Sequence, residues 1–188
     1  MIRLRNWIAA ALAAMAVLAA GCTERAPLSE PVPALSGPYT LGPGDRLRIV
    51  VYDQPSLTNI YEVGQSGRVS LPLIGDVPAG GATTETLAQR IKTKFASAYL
   101  RDPDVTVEIN AYRPFFVLGE VRTPGQFAYV PGITAETAIA MAGGFSDRAN
   151  KRTVRVSRVV SGRLFENRIA VVEPIRPGDT IYVPESLF

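Results

Sequence analysis

Apolar and polar residues alternate over Arg46–Tyr52, where Leu47, Ile49 and Val51 share one face, so the pattern predicts a half-buried strand. Arg68–Leu73, between Gly67 and Gly75, reads as a second short strand. From Thr83 to Leu100 the period changes. Leu87, Ala88, Ile91, Phe95, Ala98 and Tyr99 recur at helical spacing, Thr83 or Thr84 can cap the start, and Glu85 suits the positive end of the helix dipole. Val105, Val107, Ile109 and Ala111 return to alternation and predict a strand. Phe115–Val121 and Gln126–Val130 flank Thr123-Pro124-Gly125 as a hairpin-like pair. Thr134–Ala142 reads as a short helix, with Ala135, Ala138, Ile139 and Ala142 inward and Gly143 as its stop. Thr153–Val160 and Arg163–Val172 enclose the turn Ser161-Gly162, and Thr180–Val183 forms a last strand before Pro184. Strands pairing with near neighbours around one helix, twice over, predict an α+β fold of two modules, residues 38–112 and 113–188.

The N-terminal end follows a different pattern. Arg3 and Arg5 precede an apolar run from Trp7 to Ala20, shorter than the about 20 residues a membrane span needs. Basic, apolar, then small residues is the order of a secretory signal, here 1–21. Leu18-Ala19-Ala20-Gly21-Cys22 resembles the bacterial lipoprotein signal, with Leu18 one place earlier than usual. That resemblance implies acylation of Cys22, and Thr23 after it points to the outer membrane. More than one acyl chain gives stable anchoring. Residues 22–37, with Pro27, Pro31 and Pro33, read as a lipidated, semi-extended tether reaching roughly 45 Å.

Composition removes whole classes of chemistry. The chain of 188 residues has no histidine, which excludes His-based triads and zinc clusters, and one cysteine, which excludes an internal disulfide or a CxxC site. Its net charge is +3; without Arg3 and Arg5, 18 basic residues stand against 17 acidic ones, too even a balance to imply nucleic acid. Gly42-Pro43-Gly44 lacks a third glycine and opens no helix, and Gly143-Gly144 follows a helix, so neither cradles phosphate. Asp102, Asp104 and Glu108 show no spacing specific to glycoside hydrolysis, and no motif supports a Ser–Lys pair. No catalytic, metal or cofactor site is expected.

Two Pro-Gly-Asp turns, Pro43-Gly44-Asp45 and Pro177-Gly178-Asp179, each lead into an alternating strand, with Asp expected to bond nearby backbone amides. Arg148, Lys151, Arg152, Arg155 and Arg158 crowd one stretch, with Arg163 and Arg168 following; they read as a solvated or subunit-facing surface, or as one that meets the carboxylates of an acidic polymer.

Tyr39 to Ile49, through Leu41, Gly42-Pro43-Gly44-Asp45 and Leu47, resembles the opening of the polysaccharide export domain of outer-membrane lipoproteins. Gly67, Leu71-Pro72-Leu73-Ile74-Gly75, the helix after Gly81-Ala82-Thr83, and Asp102-Pro103-Asp104-Val105-Thr106-Val107 extend the match. Gly119-Glu120-Val121 with Pro124-Gly125, Ala142-Gly143-Gly144, and Pro177-Gly178-Asp179 through Pro184 are similar to the SLBB β-grasp domain that follows it. The resemblance implies a periplasm-facing, lipid-anchored ring of identical subunits through which capsular polysaccharide or exopolysaccharide leaves the cell. Its implied partners are the polymer, an inner-membrane polysaccharide co-polymerase often linked to a tyrosine kinase, and outer-membrane lipid. The chain stops at Phe188, where long family members add further repeats and an amphipathic helix; a separate outer-membrane β-barrel is therefore an expected partner. The alternative is a monomeric periplasmic glycan-binding module that regulates an envelope enzyme.

Overall fold

The computed structural model describes residues 37–160 and 162–186; the signal 1–21, Cys22, the tether apart from Gly37, and Ser161 of the hairpin turn lie outside the described residues. Leu47, Ile49 and Val51 of β1 (Arg46–Val51) are buried as their alternation requires. β1 sits between β2 (Asn59–Glu62) and β5 (Val105–Ala111), antiparallel to both. A separate hairpin joins β3 (Arg68–Leu71) to β4 (Gly75–Pro78). Helix α1 (Thr84–Ala98) lies against β5 and β4, burying Leu87, Ile91 and Phe95. Together these elements enclose one hydrophobic core that runs from Leu41 to Val107.

A second core begins at Phe115 and ends at Val183. Its sheet has five strands in the order β7-β6-β10-β8-β9, made by β6 (Phe115–Gly119), β7 (Gly125–Phe127), β8 (Thr153–Val160), β9 (Arg163–Ala170) and β10 (Thr180–Val183). β10 enters between the two hairpins, parallel to β6 and antiparallel to β8. Helix α2 (Ala135–Met141) buries Ala135, Ala138 and Ile139 in this core. The architecture is α+β in both modules, the class that the alternating and helical patterns and the family resemblance imply.

The two helices start alike, as Thr-x-Glu-Thr. Thr83 and Thr134 are the caps; each side-chain oxygen accepts from a backbone N–H three residues on, at 3.3 Å in both cases. The Glu85 carboxyl, in the first turn, is held below the usual glutamate range by the Thr83 hydroxyl first and by its own backbone amide next. α2 closes in a Schellman motif: Gly144 N–H donates to Ile139 O at 2.9 Å and Gly143 N–H to Ala140 O at 3.0 Å, with Gly143 at φ 79°.

Three details depart from the pattern reading. β2 and β4 were not expected: β2 buries no side chain fully, and β4 carries Gly75 and Pro78, residues that signal turns. β3 ends at Leu71, because Leu73 turns back at φ 68° toward β4. Ala98 and Tyr99 are exposed rather than inward; Tyr99 is the C-cap, with φ −126°, so helical period no longer directs it. Among the described residues no helix is long and apolar enough to cross a membrane.

Candidate functional site

The two Pro-Gly-Asp turns are built alike. Asp45 Oδ2 accepts from the Gly42 amide at 2.8 Å, and Asp179 Oδ2 accepts from the Arg176 amide at 2.7 Å. Each Asp amide donates back across the turn at 3.1 Å, while Gly44 (φ 89°) and Gly178 (φ 83°) supply the positive φ that the second central position demands. Both carboxylates are wholly buried, and each meets one arginine. Asp179 receives Arg158 through two bonds, Nε at 2.7 Å and Nη2 at 2.6 Å. Asp45 receives the Arg113 backbone amide at 2.9 Å and the Arg113 Nη1 at 3.4 Å.

Arg113 brings the two turns together. It sits where one core ends and the other begins, and its Nε donates to Pro177 O at 3.1 Å. A Cβ on Gly178 would lie 2.7 Å from that Nε, and one on Gly42 would lie 1.8 Å from Nη1. The guanidinium thus lies against both turns because both offer a bare backbone there. Beside it, Tyr39, Tyr112 and Tyr129 form an edge-to-face ladder across the junction, with ring centroids 5.1 and 5.3 Å apart. Tyr129 ties the ladder to the second module by donating to Ile175 O at 3.2 Å.

The Tyr39 hydroxyl donates to the Asp45 carboxylate, 2.8 and 2.7 Å from its oxygens. Burial, and then the Asp45 charge, push this phenol far above its ordinary value, while Arg113 pulls the other way. A neutral Tyr39 is therefore favoured in the fold, where it donates to Asp45. The sign of the linkage follows. Below the ordinary phenol pKa of about 10 the stabilisation is complete; above it the unfolded chain ionises, the folded chain does not, and stability falls. Tyr39→Phe should lower the urea midpoint at neutral pH, since Asp45 loses a donor, and make the decline above about pH 10 shallower. An unchanged alkaline slope would show that Tyr39 ionises freely in the fold.

A cleft of about 630 Å³ opens between the modules, lined by Ser66 and Gly80 of the first and by Arg113, Arg158, Val160 and Arg176 of the second. The remaining motif glycines act on the backbone. Gly119 (φ 85°) ends β6 against Val183 and Gly143-Gly144 closes α2, whereas Gly125 departs from the turn reading: it is the first residue of β7, paired with Val117, and the chain bends before Pro124, at Arg122-Thr123. Among the described residues no group of three or more Cys, Asp or Glu is placed to hold a metal ion.

The model of the polysaccharide biosynthesis/export protein family matches residues 33–110, and that of the SLBB domain matches residues 114–167. The chain belongs to the polysaccharide export family. Among its relatives is the exopolysaccharide production protein ExoF of Rhizobium meliloti, 35% identical over 94% of this chain and 45% of the relative. The EPS I polysaccharide export outer membrane protein EpsA of Ralstonia solanacearum is 32% identical over 66% of this chain and 40% of EpsA. The polysialic acid transport protein KpsD of Escherichia coli is 25% identical over 56% of this chain and 19% of KpsD. The chain spans less than half the length of these relatives.

In this chain the basic stretch does not form one surface. Arg148 pairs with Glu120 at 3.6 Å and Glu185 at 3.2 Å. Lys151 and Arg152 are exposed on the loop before β8, and Arg155 points outward from β8. Arg158 corrects the surface reading: it is 8% exposed, shares the inner face with Val154 and Val156, and is committed to Asp179. Strand parity carried that information, since Arg158 is out of phase with Arg155. Arg113, Tyr39, Tyr112 and Tyr129 were missed as a set; the signal was an aromatic–Arg–Pro sequence at the boundary of two modules.

Proposed function

We propose that this chain is a non-catalytic component of an apparatus that exports capsular polysaccharide or exopolysaccharide. Its folded body stands in the periplasm, held to the outer membrane through acylated Cys22 and the tether 22–37. Copies assemble as a ring around a polar, water-filled path, in which no sugar hydroxyl is stripped of hydrogen-bond partners. An inner-membrane co-polymerase delivers the polymer to that ring.

The observation that carries this reading is the succession of an export domain and an SLBB domain along one chain, 33–110 then 114–167. The relatives' names support it: one is an exopolysaccharide production protein and another an export outer membrane protein. Arg113 lies between the two family matches, which end at 110 and begin at 114, and its side chain bonds both turns; this supports a body that moves as one piece.

The test is deletion of the gene, with secreted polymer measured by uronic acid and hexose assay. Secretion should drop to background, return with the parent gene, and fail to return with Cys22→Ser. Native mass spectrometry of the full chain in detergent should give a single defined oligomer. Undiminished secretion from the deletion strain would overturn the export role, and a monomer alongside lost secretion would overturn the ring.

A further inference from the structure

We propose that the outward face of the five-stranded sheet binds a carboxylated sugar residue, through Arg155, Arg168 and Tyr182; this rests on the export reading and names the polymer chemistry it contacts. The register lines up four side chains across four strands. Leu118 on β6 pairs with Tyr182 on β10, Tyr182 with Arg155 on β8, and Arg155 with Arg168 on β9. Directly opposed residues share a face, so the row presents an apolar half and a doubly cationic half to the same side. Leu118 and Tyr182 are 43% and 39% exposed.

Two features point to a ligand. First, Arg155 and Arg168 are like charges directly opposed, an arrangement that weakens strand pairing, and no described carboxylate forms an ion pair with either. The nearest acid on that face, Glu166, sits one row away and accepts from Ser157 Oγ at 2.9 Å. Second, the Arg155 guanidinium already lies over the Tyr182 ring, 4.6 Å from its centroid, which fixes the fork beside an aromatic floor. Arg155, Glu166, Arg168, Tyr182 and Pro184 line a hollow of about 330 Å³, near the small end of ligand sites.

The chemistry that fits is a ring with an apolar C–H face and a planar anion. The C–H face packs against Pro184 and the part of Tyr182 that Arg155 leaves uncovered, and the carboxylate bridges the two guanidinium groups. Glu166, which lines the hollow, is placed to accept from a ring hydroxyl. A bare anion would use the arginines and leave the aromatic floor idle.

Isothermal titration of the purified full chain tests the site, with trigalacturonate as probe, maltotriose as neutral sugar and triglutamate as acidic peptide. Trigalacturonate should bind at least tenfold tighter than either. Arg155→Gln, Arg168→Gln and Tyr182→Ala should each weaken it at least tenfold, Arg155→Lys should restore little, and Lys151→Gln should change nothing. Thermal unfolding guards against misfolding: Arg168→Gln relieves the repulsion and should leave Tm equal or higher. Equal affinity in the variants, or no trigalacturonate binding, overturns the site. Equal binding of triglutamate points to an acidic protein partner and overturns it too, as does a changed oligomer in Arg155→Gln. Loss of the site with secretion still dependent on the gene leaves the export reading standing; normal secretion without the gene removes that reading instead.

Discussion

Asp179→Ala should cost about 3–5 kcal/mol of folding free energy, the range for breaking one side of a buried ion pair, and lower Tm by roughly 10 °C. Asp179 is fully buried and Arg158 is only 8% exposed to the cleft, so water does not replace the two bonds of 2.7 and 2.6 Å that the guanidinium loses. Arginine does not escape by losing its proton in the accessible pH range. The end of β8, beyond its last pair with β10 at Ser157, must therefore shift until Arg158 is hydrated, which disturbs the lining of the inter-module cleft. The Arg176 amide loses its acceptor in the same step. Replacing both partners, Arg158→Met with Asp179→Ala, removes the charge that has to be rescued, so the double variant should be more stable than Asp179→Ala alone. Urea unfolding of the four chains in a mutant cycle measures this. A single-variant cost under about 1 kcal/mol would place Arg158 in solvent and return it to the surface group.

That pair also marks what the residue pattern did and did not carry. β1, β5, β8, β10 and both helices were legible because each buries a regular stripe, such as Leu47-Ile49-Val51 or Leu87-Ile91-Phe95. β2 escaped notice because Asn59 to Glu62 buries nothing fully; its pairing with β1 is a backbone matter that no side-chain pattern records. The Pro-Gly-Asp turns were legible as turns, since proline, glycine and an amide-binding carboxylate each have a local role there. Their meeting through Arg113 was not, because the bonds join positions 68 and 64 residues apart. Arg158 was misread for a third reason: residue type favours the surface, parity favours the core, and the partner that reconciles them lies 21 residues away.

Gly119→Ala should be as damaging, at about 4 kcal/mol, and a second glycine separates its causes. Gly119 and Gly132 have nearly the same backbone, φ 85° and 84°. An added Cβ at Gly132 meets nothing within 4 Å, so Gly132→Ala should show backbone strain alone, about 1–2 kcal/mol. At Gly119 the same Cβ would sit 2.2 Å from Val183 O. That oxygen accepts the Glu120 amide at 3.0 Å, and Val183 is the register partner of Gly119 at the end of the parallel β6–β10 pair. The clash is with backbone, which has no rotamer to change, so relief requires parting the two strands at the centre of the sheet. Val183 and Ile181 lie in the core beneath, and their shift would be felt by Phe115 and Val117. Hydrogen exchange should therefore show faster exchange at the Glu120 amide and along β6 in Gly119→Ala, with β6 unchanged in Gly132→Ala. Equal stability losses in the two variants would mean that φ alone fixes glycine at 119 and that the close approach of β10 costs nothing.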